Sequence, residues 1–324
     1  MSNIKLSICI ATYNRSTYLK SMLDSIIPNL NSQIEIVIVD SSDNLYTSEL
    51  ISDFYKSKIK YIYLGVKSGV DKDYDTCISY ASGEYCWLLT DDDVLKENSL
   101  NTIFNYLNVD YSILIVNSEL RSRDLSEVYR LKQLPIDFNL VLSNSMDDFR
   151  KLFKEVSNYL SFIGGLIIKR ELWLSRNREI YYGTEFIHMG VIFQKLLPSK
   201  ILIISEPHIS IRMNNSLWSN RAFKIWFINW PLLIHSFDLF DKSDKIFIVS
   251  LNPLKQLIKL LFYRSLGAFN IEGFKLYKES FKSNFIINSV LFIIAKSNKS
   301  IIRYIIGLYA FLFKRKWMII DLKL

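Results

Sequence analysis

Short apolar runs alternate with amphipathic stretches through the first hundred residues. Lys5 to Ala11 is a β-branched run that stops at Thr12-Tyr13-Asn14-Arg15. Ser16 or Thr17 can then cap a helix through about Ile27, with Leu19, Met22, Leu23 and Ile26 at helical spacing and Pro28 ending it. Ile34 to Val39 reads as a second strand ending in Asp40-Ser41-Ser42-Asp43, a helix-like segment follows from about Thr47, and Ile59 to Leu64 reads as a third strand. After Gly69 an amphipathic stretch runs to Ala81. Glu84 to Leu89 is a strand-length apolar and aromatic run that ends in Asp91, Asp92 and Asp93, with a helix beginning near Glu97. This alternation predicts an α/β fold with a mostly parallel, doubly wound sheet flanked by helices. Ligands of such sheets sit beyond the carboxyl ends of the strands, where the first, second and acidic strands all carry polar residues.

Beyond about Asn220 the pattern changes to aromatic, helix-like segments: Phe223 to Leu233, Ile246 to Phe262 with lysines at intervals, Phe285 to Ala295, and Ile301 to Phe313. The last two fall short of the roughly 20 residues that cross a bilayer, and the second contains Arg303. The shift divides the chain into an α/β unit, residues 1–220, and a basic, aromatic-rich helical extension, residues 221–324. Half of the 324 residues are hydrophobic, with 19 Tyr and 21 Phe, which excludes a disordered chain. The net charge of +8 belongs to the tail, where 15 Lys or Arg from Asp241 onward face 5 Asp or Glu. Helices of that kind fit an anionic membrane surface, or pack on the α/β unit or a second copy with the lysines solvated. No nucleic acid partner is expected, because the aromatics recur at helical spacing and form no stacking platform. Cys9, Cys77 and Cys86 lie in apolar segments and read as reduced core residues of a cytosolic protein. The apolar run after Lys5 is too short for a secretion signal.

Candidate chemistry gathers at the strand ends. Three adjacent carboxylates repel one another, and Asp91, Asp92 and Asp93 make sense around a divalent cation, or else as a solvated acidic turn before the next helix. Thr12, Tyr13 and Arg15 offer backbone amides, an aromatic face and a guanidinium to a nucleotide and its phosphates, or form a polar turn. Asp40 can accept a hydrogen bond from a base or ribose, or close an Asx turn. Asp71, Asp73 and Asp75 alternate as in a calcium loop, but the glycine and distal glutamate of that loop are missing. Neither GxGxxG nor GxxxxGK[ST] occurs, which disfavours a dinucleotide enzyme.

Taken in order and spacing, Ser7 to Arg15, Ile38 to Asp43 and Ala81 to Asp93 resemble the inverting family-two glycosyltransferases with the GT-A fold, in particular the abequosyltransferase-like group that builds bacterial surface polysaccharides. The resemblance covers roughly residues 4 to 220. It implies a Rossmann-like GT-A domain, a nucleotide-sugar donor, Mn2+ or Mg2+, and transfer of a hexosyl or deoxyhexosyl group with inversion. It also implies a glycan or polyprenyl-linked acceptor, and so a cytoplasmic enzyme peripheral to the inner face of the cell membrane. Residue by residue, Thr12, Tyr13 and Arg15 would contact the donor nucleotide and Asp40 its base, while Asp75 stands where many relatives have an asparagine near the ribose and phosphates. Asp91 and Asp92 would bracket the diphosphate and metal, with Asp92 the leading metal ligand and Asp93 beside it or near the sugar. Many relatives carry another acid where Thr90 stands.

Inversion needs a base that takes the acceptor's proton. Tyr181 to His188 lies where the family usually has Glu-Asp before a helix, with Thr184 in the first place and Glu185 in the second, so Glu185 is the candidate base. His188, three residues on, would share a helical face with it and orient the carboxylate or take the proton, or be a core histidine. Gly164-Gly165 resembles the acceptor-side strand, and Arg212 is placed to meet the leaving diphosphate near Asn214, where relatives often have histidine. A reading from another class is a catalytically silent GT-A-like scaffold that binds glycan or a membrane partner.

Overall fold

Each apolar run of the first hundred residues becomes a strand. The computed structural model describes residues 4–55, 59–213, 215 and 219–322, and divides at Met213/Asn214 into two compact units. In the first, β1 (Leu6–Thr12), β2 (Ile34–Asp40), β3 (Ile59–Tyr63) and β4 (Tyr85–Thr90) pair in parallel in the order β3-β2-β1-β4. The crossovers are α1 (Ser16–Ile26), α2 (Tyr46–Phe54) and α3 (Val70–Tyr80). Burial on both faces explains why β1 and β4 read as unbroken apolar text. α1 lays Leu19, Met22, Leu23 and Ile26 into the core, but neither Ser16 nor Thr17 caps it: the N-cap is Arg15, whose side chain is turned to the strand ends. Register aligns Thr12 with Asp40 and Ala11 with Thr90, so three polar strand ends reach one edge of the sheet.

The second half of this unit departs from the parallel expectation. It contains β5 (Val94–Leu95), α4 (Ser99–Tyr106), β6 (Tyr111–Arg121), β7 (Val128–Arg130), β8 (Leu140–Leu142) and α5 (Met146–Leu160). There follow β9 (Leu166–Lys169), α6 (Arg170–Leu174), α7 (Ile187–Phe193) and β10 (Lys200–Arg212). β6 and β10 are parallel, whereas β9 runs antiparallel to both β4 and β6. β8 runs against β10, so α5 returns the chain to the carboxyl edge and β9 descends from there. The expected acceptor-side glycines lie in this return. A Cβ on Gly164 would stand 2.4 Å from the Phe162 ring and one on Gly165 3.1 Å from the Val116 carbonyl, so both serve the chain's own packing.

The second unit is helical: α8 (Ala222–Lys224) passes through a π turn into α9 (Trp230–Ser236), followed by α10 (Lys242–Ile248), α11 (Leu257–Leu266), α12 (Ile271–Ser280), α13 (Phe285–Lys296), α14 (Lys299–Leu312) and α15 (Lys316–Leu322). Its core joins Phe223, Phe227, Leu260, Phe269, Leu291 and Ile306. The run expected from Ile246 to Phe262 is broken, because Val249 is extended (φ −153°, ψ 135°) and Pro253 opens a fresh turn capped by Asn252. By length and composition alone Lys242–Leu266 could cross a membrane, but the break after Ile248 divides it into α10 and α11, and α13 with α14 pass only together and are bent by 100°. The sequence Lys314-Arg315-Lys316-Trp317 has the composition of an interfacial anchor, and the side chains of Lys316 and Trp317 lie outside the described set.

Candidate active site

β4 ends at Thr90, and the three acids that follow diverge. Asp91 accepts from the Thr12 hydroxyl at 2.8 Å through Oδ2 and from Arg15 Nη1 at 3.3 Å through Oδ1. The same Arg15 nitrogen donates to Asp92 Oδ2 at 2.5 Å. One guanidinium from the end of β1 therefore binds two neighbouring carboxylates from the end of β4. Burial and the charge of Asp92 push Asp91 up to about 7, against the pull of Arg15 and Thr12. Burial and the same neighbour push Asp93 up to about 8. Three ionised acids are costly here without added positive charge.

Asp93 points into the protein. Its Oδ1 accepts the backbone N–H of Arg212 at 3.0 Å, and its other oxygen accepts the Thr90 hydroxyl. At 2% exposure and with both oxygens engaged, Asp93 is a strut between β4 and β10. Thr90 holds that strut through its hydroxyl. Among the described residues no group of three or more His, Cys, Asp or Glu forms a ready metal cage. Asp92 is the partly exposed acid of the triplet. A single accessible carboxylate fits a hard cation of the magnesium type, which takes one or two carboxylates and completes its shell with substrate phosphate and water.

Arg212, at the end of β10, donates from Nε to the Asp92 carbonyl at 2.7 Å and from Nη1 to the Arg123 carbonyl at 3.0 Å. Its guanidinium lies 5.6 Å from the centre of the Tyr18 ring, and that of Arg15 lies 5.8 Å from the same ring. The Tyr18 hydroxyl accepts from Arg123 Nε and Nη2 at 3.1 and 3.0 Å. One tyrosine thus gathers three guanidiniums beside the acids, a disposition suited to phosphate. Sequence reading passed over Tyr18 and Arg123. The signal was Tyr18 three residues after Arg15, one helical turn on.

On the far side of β1, Lys67 Nζ sits 4.5 Å over the Tyr13 ring and the Tyr13 hydroxyl donates to Asp43 at 3.3 Å. Asp40 is not placed to face a base: it is fully buried, accepting the Ser42 N–H at 2.9 Å and the Tyr61 hydroxyl at 2.6 Å. It closes the Asx turn that shapes this end of the site, and the exposed acid there is Asp43.

α3 ties the corner together. Its buried acids stand at i, i+2 and i+4, so Asp71 and Asp75 share the face toward residues 173–187 while Asp73 points away from them, toward the end of β2. Asp73 accepts from Ser41 at 2.9 Å, just beyond β2, and the Tyr74 hydroxyl donates to the Leu89 carbonyl at 2.9 Å on β4. Asp71 reaches across to the candidate base. Its Oδ2 accepts the N–H groups of Gly183 and Glu185 at 2.8 and 2.9 Å, and its Oδ1 that of Ile187 at 3.0 Å. Burial raises this carboxyl to about 6, against the pull of the three N–H groups. Asp75 corrects its own expectation: Trp173 Nε1 (2.8 Å), Arg178 Nε (2.7 Å) and the Tyr182 hydroxyl fill its carboxylate, so it fastens α3 to α6 and the following loop.

Glu185 sits before α7 in the left-handed region, φ 71°, with Gly183 at φ 83°. That conformation is strained for a non-glycine residue, and the Asp71 bonds hold it. Because Glu185 lies outside the helix, it shares no helical face with His188. His188 is 1% exposed in the first turn of α7, with Nε2 2.6 Å from the Leu160 carbonyl, and burial lowers its pKa to about 4. It is a neutral core histidine packed on α5. Asn214 lies outside the described residues.

The parallel β3-β2-β1-β4 half-sheet, its polar strand ends and the arginine-bound acid pair define a glycosyltransferase of the GT-A class. The fold is shared with S. aureus TarS 1-349 in complex with UDP, at TM-score 0.55 and 12% identity over 89% of each chain. The same fragment with UDP-GlcNAc gives TM-score 0.53 at 15% identity over 84% of each. The chain belongs to glycosyl transferase family 2, whose family profile matches residues 7–170. It is 29% identical over 232 residues to abequosyltransferase RfbV of Salmonella typhimurium, covering 67% of this chain and 69% of that one. It is 26% identical over 185 residues to the GalNAc(5)-diNAcBac-PP-undecaprenol beta-1,3-glucosyltransferase of Campylobacter jejuni, covering 56% and 57%.

Proposed function

We propose that this glycosyltransferase moves a hexosyl or deoxyhexosyl group, with inversion, from a nucleoside-diphosphate sugar to a glycan carried on a polyprenyl lipid, in bacterial surface polysaccharide synthesis. The observation that carries the reading is the corner where Thr12 and Arg15 from β1 bind Asp91 and Asp92 from β4. The names of the Salmonella and Campylobacter relatives support the sugar class and the lipid-linked acceptor. An acceptor of that kind puts the enzyme in the cytoplasm, peripheral to the inner face of the membrane.

Tyr13, stacked under Lys67, lines the nucleotide side, and Arg15, Arg123 and Arg212 neutralise the diphosphate. Asp92 would hold Mn2+ or Mg2+, which when bound supplies Lewis-acid stabilisation of the departing diphosphate. Glu185 takes the proton of the acceptor hydroxyl as its oxygen bonds to the anomeric carbon. The bond from that carbon to the diphosphate oxygen breaks on the opposite face, inverting the centre and releasing the nucleoside diphosphate.

A thermal-shift panel of nucleoside diphosphates, each with and without Mn2+, tests this. One nucleotide should stabilise the wild type only with metal, by about 2.7 kcal/mol at a hundredfold excess over Kd. Asp92→Asn should lose the metal-dependent part. No nucleotide response under any condition would overturn the donor assignment.

A further inference from the structure

The outward side of α14 is apolar. Ile301, Tyr304, Ile305, Leu308, Phe311 and Leu312 recur at helical spacing, and each is between 48% and 76% exposed. The opposite side packs in the unit's core through Ile306 and Ala310, so the outward stripe is a second apolar face that the core leaves uncovered. α13 adds Phe285, Ile286 and Ile293, each at least 66% exposed. Isolated apolar residues on a surface mean little, but a continuous stripe marks an interaction surface.

Charge selects the occupant. From Phe281 to Ile320 the chain has seven Lys or Arg and no Asp or Glu. Lys282, Lys296, Lys299, Lys314 and Arg315 among them are exposed. A second copy docking face to face would bring the same positive charge against itself, whereas an anionic lipid surface brings the opposite charge. We propose that α13 and α14 form an in-plane dock for an anionic bilayer, their apolar stripes in the acyl boundary and the lysines at the headgroups. Neither helix spans: at about 1.5 Å per residue they are roughly 18 and 21 Å long, against a hydrocarbon core of about 30 Å, and the bend of 100° prevents one continuous span. The dock rests on the transferase reading only for its purpose, which is to hold the enzyme where a lipid-linked acceptor lies.

The test is co-sedimentation of the full chain with vesicles of phosphatidylcholine alone and of phosphatidylcholine mixed equally with phosphatidylglycerol, with neither donor nor acceptor present, so its outcome is independent of transferase activity. Binding should require phosphatidylglycerol and weaken with salt. Lys314→Gln with Arg315→Gln should weaken it about 30-fold, each cation near an anionic surface contributing a factor of about 5. Leu308→Ser with Phe311→Ser should abolish it while leaving the melting temperature and circular dichroism of the wild type, since both side chains are exposed. Wild type that stays in the supernatant with anionic vesicles overturns the proposal. So does an apolar variant that binds like wild type, or light scattering that shows a dimer which Phe311→Ser converts to monomer, since that would assign the face to a second copy.

Discussion

Replacing Asp71 by asparagine should separate stability from catalysis, because one carboxylate does two opposed things. It is 4% exposed, and burial lifts it to about 6 from an ordinary 3.8. The folded chain therefore holds this proton more tightly than the unfolded one between about pH 4 and pH 6. The stability this group contributes is complete below about pH 4 and falls as pH rises through 6, by about 3 kcal/mol, then stays flat. Asparagine removes that cost near neutral pH. It keeps one carbonyl oxygen, enough for the Gly183 and Glu185 N–H groups, but turns an NH2 toward the Ile187 N–H, orphaning a buried donor for about 1–3 kcal/mol. The two changes nearly cancel, so Asp71→Asn should melt within a few degrees of wild type at neutral pH.

Catalysis should not be spared. The left-handed Glu185 is held by three charge-assisted bonds, and a loop loosened by about 1 Å costs on the order of 100-fold in kcat. Wild-type kcat should also fall as pH drops below about 6, where protonation of Asp71 removes the same acceptor. Asp71→Asn should lose that step. Steady-state kinetics across pH, with donor KM recorded separately, reads this directly. A variant that keeps kcat within about threefold of wild type, where a displaced base should cost far more, would refute a positioning role for Asp71.

Glu185→Gln should lower kcat by about 100- to 10,000-fold while the nucleotide thermal shift survives, whereas His188→Gln should retain kcat and lose melting temperature; an inactive but stable His188 variant would restore it as a catalytic candidate. Asp92→Asn should abolish metal-dependent nucleotide binding in a folded protein, but Asp93→Ala, which leaves the buried Arg212 N–H without its acceptor, should destabilise by about 1–3 kcal/mol, measured by urea titration with and without Mn2+. Tyr18→Phe frees Arg123 from its acceptor and should raise donor KM severalfold with little change in kcat, and equal losses in both would argue against a phosphate-gathering role.

The first half of the sheet was legible because its information is local. Apolar runs, helical spacing and polar strand ends each lie within a few residues, and register brings Thr12, Asp40 and Thr90 together without further instruction. β9 was not legible as an antiparallel insertion, since its direction depends on β8 and on the return through α5. Within the site, residue type identified the acids but not what each one faces. Asp91, Asp92 and Asp93 are chemically equal in sequence, yet the backbone N–H of Arg212 claims Asp93, Arg15 bridges the other two, and only Asp92 keeps an accessible edge. For the same reason residue type left Asp40 and His188 open between a ligand-facing and a structural role, and each, like Asp75, is turned inward by a partner distant in sequence or by the end of a strand.

Asp71 shows why such partners matter. It lies more than a hundred residues before the loop it holds, and no local pattern links the two. A carboxylate buried for stability alone would be a poor choice, because an apolar residue of similar size costs the fold less. In the first turn of α3 its carboxylate instead takes three N–H groups of the loop that holds Glu185 in the left-handed region. The neighbouring Asp73 and Tyr74 fix the same turn to β2 and β4. One helical turn therefore ties together the Glu185 loop, the end of β2 and β4, so a change there should displace those segments before it unfolds the domain.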